Sequence, residues 1–338
     1  MDADLFDELK RFGLSNYEIK IYKTLLLKGP NTATGTVKIA GVPQPRIYDL
    51  FSSLEGKGFV DTVTGKRHLY RAVPVSQVLR REIIWLDNYV NEFESYVEKH
   101  RETEDLKEPY IWFVKGNKNV TERIISMIYS AKNEIIMALS HDSFVNVRKF
   151  INSALKKGIT VALVLFDDTN DNELKTVPPG VILKKRLEKP MEMVLVDRNF
   201  ILSNLKSGIE NMDYSIYLEE DQLLHVLSYY FFYDIWLPSK YIIYPENFIH
   251  YKLNNIWLTC DIIDYYLTNN IKLKADLNGI INNKNISLKC EIIKTERING
   301  VRQTFFVKDD KNTYSVGGKS ALREDIKLID VTISRLST

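Results

Sequence analysis

The pattern of apolar and polar residues near the start of the chain predicts three short helices followed by a hairpin. Ser15 and Glu18 form a capping box ahead of an apolar helical face, and "KGPN" ends that helix. A second helix fits "TATGTVKIAG", and a third follows Pro43. Beyond it, "FVDTVTGKRHLYRAV" has the β-branched and aromatic residues of two strands around a polar, glycine-containing turn. This order of elements is typical of a winged helix-turn-helix.

The predicted third helix lies within "GVPQPRIYDLFSSLEGKGFV" and is sharply bounded. A proline occupies its first turn, where backbone N–H groups have no acceptor within the helix, so the missing N–H of proline is tolerated. Gly56 and Gly58 end the helix. Its apolar face leaves Gln44, Arg46 and Tyr48 exposed. In a winged helix-turn-helix, the amino end of the third helix contacts base edges in the DNA major groove. Because Gln and Arg can contact adenine and guanine in bidentate fashion, we predict that these three residues bind DNA.

Charge in the same segment supports an anionic partner. Residues 10–75 contain eleven Lys or Arg against four acids, although the whole chain has a net charge of only +2. Lys66 and Arg67, in the predicted wing, are expected to contact phosphate. We therefore expect this segment to bind double-stranded promoter DNA. The other interpretation is a helix-turn-helix that binds proteins, with Arg46 as a solvated surface charge.

From residue 76 the apolar spacing becomes that of a coiled coil. Six residues are spaced alternately four and three apart, over nearly three heptads: Leu79, Ile83, Leu86, Val90, Phe93 and Val97. The segment ends in a highly charged stretch without glycine, which favours a projecting helix. We expect a homodimer, which would suit a DNA site with two half-sites. The alternative is an amphipathic helix packed on its own domain, and Trp85 favours it by widening the apolar stripe.

The rest of the chain contains two further patterns. "YIWFVKG", "NEIIMALS", "TVALVLF", "VILKKRL", "MEMVLVD" and "YSIYLE" are typical of strands, and helical patterns separate the first three. This alternation predicts an α/β domain with a largely parallel sheet. A helix around "NNIWLTCDIIDYYLTNN" follows, and residues 271–338 then predict short strands in a small antiparallel barrel or sandwich.

Composition argues against several classes of site. Cys260 and Cys290 are the only cysteines and lie outside any CxxC pattern, so neither a disulfide framework nor a zinc site is indicated. We expect both to be buried thiols. The apolar runs are too short to cross a bilayer, and the acidic opening segment lacks the apolar region of a signal peptide. A soluble, cytoplasmic protein without membrane contact, cofactor or metal is therefore expected.

The chain resembles the TrmB family of archaeal sugar-sensing transcriptional regulators. The resemblance is carried by "SNYEIKIYKTLLLKGPNTA", "GVPQPRIYDLFSSLEGKGFV", the linking helix and "YSVGGKSALREDI". It implies a sugar-responsive regulator of sugar transport or metabolism genes. The implied parts are a winged helix-turn-helix, a coiled-coil linker helix, a phospholipase-D-like α/β effector domain and a C-terminal helix plus β-barrel that completes the sugar site. Their expected boundaries are 1–75, 76–108, 109–246 and 247–338.

The resemblance also implies a pocket for a mono- or disaccharide around the "VGG" loop. Its implied residues are Gly317, Gly318, Lys319, Leu322, Glu324, Glu219 and Gln303. The glycines permit close backbone approach, and the Glu324 carboxylate can accept hydrogen bonds from hydroxyls. Without the resemblance, the glycine pair fits an ordinary hairpin turn and Glu324 fits a surface charge. Lys319 replaces the family's usual apolar residue, which leaves room for an anionic ligand.

Active phospholipase-D-like domains carry an HxKxxxxD motif, and the matching stretch here is "PMEMVLVD". Pro190 replaces the nucleophilic histidine and Glu192 replaces the phosphate-binding lysine, so only Asp197 remains. A glutamate would repel phosphate. We therefore predict no catalytic residue and a binding domain. One alternative function is an operator-binding or nucleoid-type protein whose effector domain serves only assembly; another, a nucleic-acid phosphodiesterase, is disfavoured by this motif.

Overall fold

Two compact units make up the chain, Met1–Asp105 and Leu106–Thr338. The computed structural model describes residues 5–63, 68–100, 111–166, 174–188, 191–206, 213–245, 250–298 and 302–336. Within these ranges, none of the helices combines the length and the apolar character needed to pass through a bilayer.

The first unit contains the predicted helices and hairpin. A 3-10 helix, Leu5–Phe12, comes first and is followed by three α-helices: α1 (Asn16–Lys28), α2 (Ala33–Ala40) and α3 (Ile47–Gly56). Two strands then pair antiparallel: β1 (Val60–Val63) and β2 (Leu69–Ala72). The capping box predicted at the start of α1 is present. Pro45 lies in a 3-10 turn, Gln44–Arg46, that leads directly into α3. The elements of the winged helix-turn-helix are therefore confirmed.

A buried carboxylate joins α1 to α3. The side chain of Glu18 accepts hydrogen bonds from the Ser15 backbone N–H at 2.6 Å, the Ser53 hydroxyl at 2.6 Å and the Lys57 ammonium at 2.7 Å. Burial alone would raise the pKa of Glu18, but these hydrogen bonds outweigh it and lower that pKa to about 2. The ionised carboxylate thus stabilises the contact between the two helices.

Helix α4, Val75–His100, confirms the predicted linker helix over its described length. Its apolar side chains are largely exposed on this chain: Ile83, Ile84, Trp85, Leu86, Tyr89, Val90, Phe93, Tyr96 and Val97. The rings of Trp85 and Tyr89 stack on one another with centroids 5.4 Å apart. The coiled-coil dimer stays a prediction, and residues 101–108 of the predicted linker lie outside the described residues.

An eight-stranded sheet organises the first part of the second unit. Its strands are β3, Ile111–Lys115; β4, Glu134–Leu139; β5, Thr160–Phe166; β6, Ile182–Arg186; β7, Glu192–Val196; β8, Phe200–Lys206; β9, Asp213–Leu218; and β10, Lys240–Ile243. Their order is β10-β6-β5-β4-β7-β8-β9-β3.

The prediction of a largely parallel sheet is wrong. Parallel pairing is confined to β4–β5 and β5–β6 among the strand pairs described for this sheet, and the others are antiparallel. One reason is that β7 turns directly back into β8, a strand that the sequence patterns missed. A parallel neighbour would instead need a long crossover. The sheet is mixed.

Helices cover both faces of this sheet. They are α5, Asn117–Ser130; α6, His141–Lys156; α7, Asp221–Tyr230, which continues as a π-helical turn to Trp236; and α8, Ile256–Thr268. Alternate residues of β4 point to opposite faces, so Met137 packs with α5 and α6 while Ile136 packs with α7 and α8.

A second sheet follows, built from β11, His250–Leu253; β12, Leu273–Ile281; β13, Lys284–Ile298; β14, Arg302–Lys308; β15, Thr313–Gly317; and β16, Ile326–Arg335. It is antiparallel except that β15 also pairs with β16 in parallel, which closes the pairings from β12 to β16 into a ring. The predicted antiparallel sheet is thus confirmed apart from this pair, and a barrel geometry stays a prediction. Cys260 and Cys290 are buried free thiols, as predicted.

Candidate functional site

A cavity of about 510 Å³ lies in the second unit, where the segment between β15 and β16 meets α7 and α8. Its lining combines aromatic rings with charged and amide groups. The aromatic and polar members are Arg198, His225, Tyr229, Tyr233, Trp257, Arg302, Gln303, Lys319, Ser320, Arg323 and Glu324. This mixture is typical of a small-molecule site with a few orienting polar groups.

One wall of the cavity is aromatic. His225, Tyr229 and Tyr233 follow one another at four-residue spacing from α7, which brings them to one helical face. The ring centroid of Trp257, at the start of α8, lies 5.2 Å from that of His225 and 6.2 Å from that of Tyr229. The sequence patterns missed this wall because α7 itself was not predicted.

Glu324 supplies a charged acceptor. Its Oε1 accepts hydrogen bonds from Arg302 Nε at 2.9 Å and from Thr304 Oγ1 at 3.0 Å. Burial would raise the pKa of Glu324, but the hydrogen bonds from Thr304 and Arg302 lower it overall, so the carboxylate is ionised. Its Oε2 accepts no hydrogen bond from any other residue that the structure describes. The group is therefore oriented through Oε1, and its side chain is 8% exposed.

The glycine pair makes room for this carboxylate. A Cβ on Gly317 would lie 2.8 Å from Glu324 Cδ and 2.7 Å from Ala321 Cβ. A Cβ on Gly318 would lie 3.1 Å from Ile256 Cγ2. Because β15 and β16 run parallel, the segment between them is a connection rather than an ordinary hairpin turn. Gly317 thus lies behind Glu324, whereas Gly318 lines the cavity itself.

Lys319, Leu322 and Gln303 also line the cavity. The Lys319 ammonium binds the Asp221 carboxylate at 2.6 and 2.7 Å, and the Leu322 side chain is 90% exposed. Gln303 is buried, and in the amide orientation that satisfies both of its polar atoms, its oxygen accepts a hydrogen bond from Arg297 Nε at 2.6 Å.

Glu219 does not belong to this group. It lies outside the cavity lining, is exposed, and accepts a hydrogen bond from the Tyr217 hydroxyl at 2.7 Å. Glu219 was selected only because it is near a position where the TrmB family uses a small polar or amide side chain. The nearby cavity residues are instead those on α7.

Arg198 is a lining residue that sequence reasoning missed. It lies with Asp197 in the turn from β7 to β8, and both have positive φ, 50° for Asp197 and 52° for Arg198. The Asp197 carboxylate accepts three backbone N–H bonds of 2.6 to 2.9 Å, from Lys132, Asn133 and Glu134. These bonds fix the turn, and a Cβ on Gly318 would lie 3.5 Å from Arg198 Nη1.

The phospholipase-D-like positions have other partners. Asp197 is engaged by the backbone as described, and Glu192 accepts hydrogen bonds from the backbone and hydroxyl of Ser140. Pro190 lies outside the described residues. Within the described ranges, no three His, Cys, Asp or Glu side chains are grouped to hold a metal ion.

The predicted DNA-contacting residues lie in the first unit. Gln44, Arg46 and Tyr48 are all exposed, on the 3-10 turn and the first turn of α3. All three therefore lie at or just before the amino end of that helix. Lys66 and Arg67, expected at the tip of the wing, lie outside the described residues.

Three family models match successive parts of the chain. The model described as sugar-specific transcriptional regulator TrmB matches residues 9–76. The model of the EBD N-terminal subdomain of the transcriptional regulator TrmB matches residues 110–243, and that of the TrmB/TrmBL1 EBD C-terminal subdomain matches residues 249–336.

Two relatives from Pyrococcus furiosus illustrate the similarity. The HTH-type sugar sensing transcriptional regulator TrmBL1 is 29% identical over 260 residues, which cover 73% of this chain and 74% of the relative. The putative HTH-type transcriptional regulator TrmBL2 is 30% identical over 213 residues, covering 59% of this chain and 79% of the relative.

Solved structures give more distant matches. The archaeal chromatin protein TrmBL2 aligns with a TM-score of 0.36 and 24% identity, covering 72% of this chain and all of that one. Nuc from Salmonella typhimurium, a phospholipase D family member, aligns with a TM-score of 0.33 and 17% identity, covering 40% of this chain and 98% of that one.

Proposed function

The chain belongs to the TrmB family of transcriptional regulators, and we propose that it is a sugar-responsive, DNA-binding regulator of sugar transport or metabolism genes. One observation carries the proposal: a winged helix-turn-helix and a polar, aromatic-walled cavity occur in the same chain. The relatives are named as sugar-sensing or helix-turn-helix transcriptional regulators, which supports both halves of it.

DNA binding is assigned to the first unit. Gln44 and Arg46 are exposed at the amino end of α3, the position from which a recognition helix reaches base edges. Tyr48 is beside them and can contact the sugar-phosphate backbone. Lys66 and Arg67 are proposed to contact phosphates, on sequence grounds alone.

Effector binding is assigned to the cavity of the second unit. Sugars present hydroxyls on a ring with apolar C–H faces. The Oε2 of Glu324 and the amide of Gln303 suit the hydroxyls, and the rings of Tyr229 and Trp257 suit the C–H face. A site built around buried acceptors rejects ligands that lack the matching hydroxyls, which would give the site its specificity.

The α/β part is proposed to bind without catalysis. Its former catalytic positions are used to hold the structure: Asp197 binds three backbone N–H groups, and Glu192 binds Ser140. Neither is free to act as a phosphate ligand or to orient a nucleophile. No cofactor is required by this proposal.

The proposed organisation has four parts: residues 1–75 for DNA, 76–108 for dimerisation, 109–246 for the phospholipase-D-like part and 247–338 for the helix and barrel. Exposed apolar side chains along α4 support a homodimer, since such a stripe on a single helix is normally covered. A dimer whose two arrangements differ in sugar affinity would couple the cavity to the operator.

Operator titrations test this proposal. Fluorescence anisotropy would measure the affinity of the full chain for a promoter fragment, with and without each sugar of a panel. A sugar that binds the chain and changes operator affinity several-fold is expected. Affinity that stays unchanged while a sugar is bound would favour an operator-binding or nucleoid-type protein whose effector domain serves only assembly.

A further inference from the structure

The cavity carries more positive than negative charge. Four cationic side chains line it, Arg198, Arg302, Lys319 and Arg323, against one carboxylate, Glu324. A neutral sugar needs hydrogen-bond donors and acceptors but no net charge. The imbalance therefore needs a separate explanation.

Ion pairs account for only part of this charge. Arg302 binds Glu324 at 2.9 Å, and Lys319 binds Asp221 at 2.6 Å. Among the described residues, no carboxylate oxygen lies within 4 Å of the guanidinium of Arg198 or Arg323. Arg323 is exposed and solvated, so Arg198 is the partly buried cation of the cavity that forms no ion pair with a described residue.

Arg198 is held in place at a conformational cost. Its φ of 52° and that of Asp197, 50°, lie in the left-handed region that non-glycine residues avoid. The turn is retained by the three backbone bonds to the Asp197 carboxylate and by Asn254 Nδ2, which donates to the Asp197 carbonyl at 2.7 Å. Strain of this kind, held by surrounding bonds, is often found at ligand sites.

Neighbouring titratable groups compensate the charge of Arg198 only in part. Burial lowers the pKa of Arg198, against the opposing effects of Glu134 and Asp221, and the group remains cationic. Burial also raises the pKa of Glu134 to about 8, so this carboxyl is mostly neutral at pH 7. Burial, followed by the charge of Arg198, lowers the pKa of His225, which favours a neutral ring.

We propose that the effector is an anionic sugar derivative, whose phosphate or carboxylate group binds Arg198 beside Gly318 while its hydroxyls reach Glu324. Guanidinium binds either oxyanion through two parallel hydrogen bonds, and a partly desolvated cation gains most from such a partner. Gly318 lets the anion approach, because a side chain there would point at Arg198. The inference rests on the proposed function, since it assigns the ligand class of the same cavity.

Calorimetric titration of the full chain tests the inference. The panel contains hexoses and pentoses, each as the neutral sugar, the phosphate and the sugar acid. At least one anionic member is expected to bind about tenfold or more tightly than its neutral parent. A preference for the phosphate or for the acid identifies the source of the anion. If no anionic member binds more tightly than its neutral parent, the inference is wrong.

Variants locate the anion. Arg198→Gln should weaken binding of the preferred anion by at least about tenfold and change binding of the neutral parent by less than about twofold. Arg123→Gln, an exposed arginine on α5 outside the cavity, is the matched control and should change neither. Equal losses for anion and neutral sugar in Arg198→Gln would contradict the assignment.

A second variant excludes misfolding as the explanation. Arg198→Gly suits the positive φ, so the thermal midpoint should stay the same or rise while anion affinity falls as in Arg198→Gln. Retained anion affinity in a folded Arg198→Gly chain would overturn the inference.

The operator readout separates this inference from the proposed function. A bound anionic sugar that leaves operator affinity unchanged would support the inference and contradict the proposed function. A neutral sugar that changes operator affinity, with no gain from an added anion, would support the proposed function and contradict the inference.

Discussion

Replacing Glu324 with Gln should weaken sugar binding while keeping the cavity in place. Gln has the same shape, and its amide oxygen can still accept from Arg302 and Thr304, which lie 2.9 and 3.0 Å from Oε1. A charged hydrogen bond is worth about 1.5 to 3 kcal/mol and a neutral one about 0.5 to 1.5. Replacing the charged hydrogen bond between residue 324 and the sugar by a neutral one therefore costs about 1 to 1.5 kcal/mol of binding free energy, or roughly five- to tenfold in affinity.

The same change should lower stability modestly. The bond from Arg302 weakens by about 1 kcal/mol on the same reasoning, which corresponds to a thermal midpoint about 2 to 4 °C lower for a unit of this size. Glu324→Ala is a poorer test, because it leaves Arg302 without its partner and disturbs the fold more severely.

Isothermal titration calorimetry of the full chain, with a sugar that the parent binds, measures the effect. Glu219→Gln is the matched control, because Glu219 is exposed and lies outside the cavity. It should bind the sugar as the parent does. If Glu324→Gln binds the sugar as tightly as the parent chain does, Glu324 does not bind the ligand. A loss of affinity in Glu219→Gln as large as that in Glu324→Gln would also contradict this role of Glu324.

The first unit and α4 give further expected outcomes. Arg46→Ala should cost about 1 to 3 kcal/mol on the specific operator and much less on random duplex, as measured by anisotropy; equal losses would remove its role in base readout. Leu86→Asp combined with Val90→Asp should convert a dimer into a monomer, and sedimentation that still finds a dimer would refute the apolar seam. Glu18→Gln should destabilise the fold at neutral pH. Because the pKa of about 2 in the folded chain lies below the ordinary value of 4.5, the stabilisation, roughly 3 kcal/mol, is present above pH 4.5 and disappears as the pH falls toward 2. The difference between the thermal melts of the two chains should therefore narrow from pH 7 to pH 3, with Glu55→Gln as control, and a constant difference would contradict this linkage.

Local sequence signals were sufficient for the first unit. The capping box of Ser15 and Glu18, the glycines after α3 and the two short β-rich runs each act within a few residues, and the structure contains all of them. The long-range role of Glu18, which binds Ser53 and Lys57, has no local signature. It depends on the packing of α1 against α3.

Sheet pairing in the second unit could not be predicted from the strand patterns. A buried strand has the same continuous apolar pattern whether the neighbouring strand is parallel or antiparallel to it. One of the antiparallel pairs, β7–β8, is set by the turn at Asp197 and Arg198, where two non-glycine residues adopt positive φ. Such a turn normally carries Asn or Gly, so its sequence gave little indication of a hairpin.

The candidate cavity was predicted in part. Gly318 and Glu324 came from a recognisable motif, and both line the cavity. Arg198, Tyr229 and Trp257 are brought there by separate elements, and no spacing within the sequence connects them. Asp197 was noted for its place in a catalytic motif, whereas the residue beside it is the one that reaches the cavity.

The most direct test of the central claim is the operator affinity of the full chain, measured at increasing sugar concentration in the parent and in Glu324→Gln. A bound sugar should change operator affinity by about fivefold or more, and the variant should need roughly five- to tenfold more sugar for the same change. An operator affinity that is independent of sugar, under conditions where calorimetry shows the sugar bound, would contradict the proposal that sugar controls DNA binding.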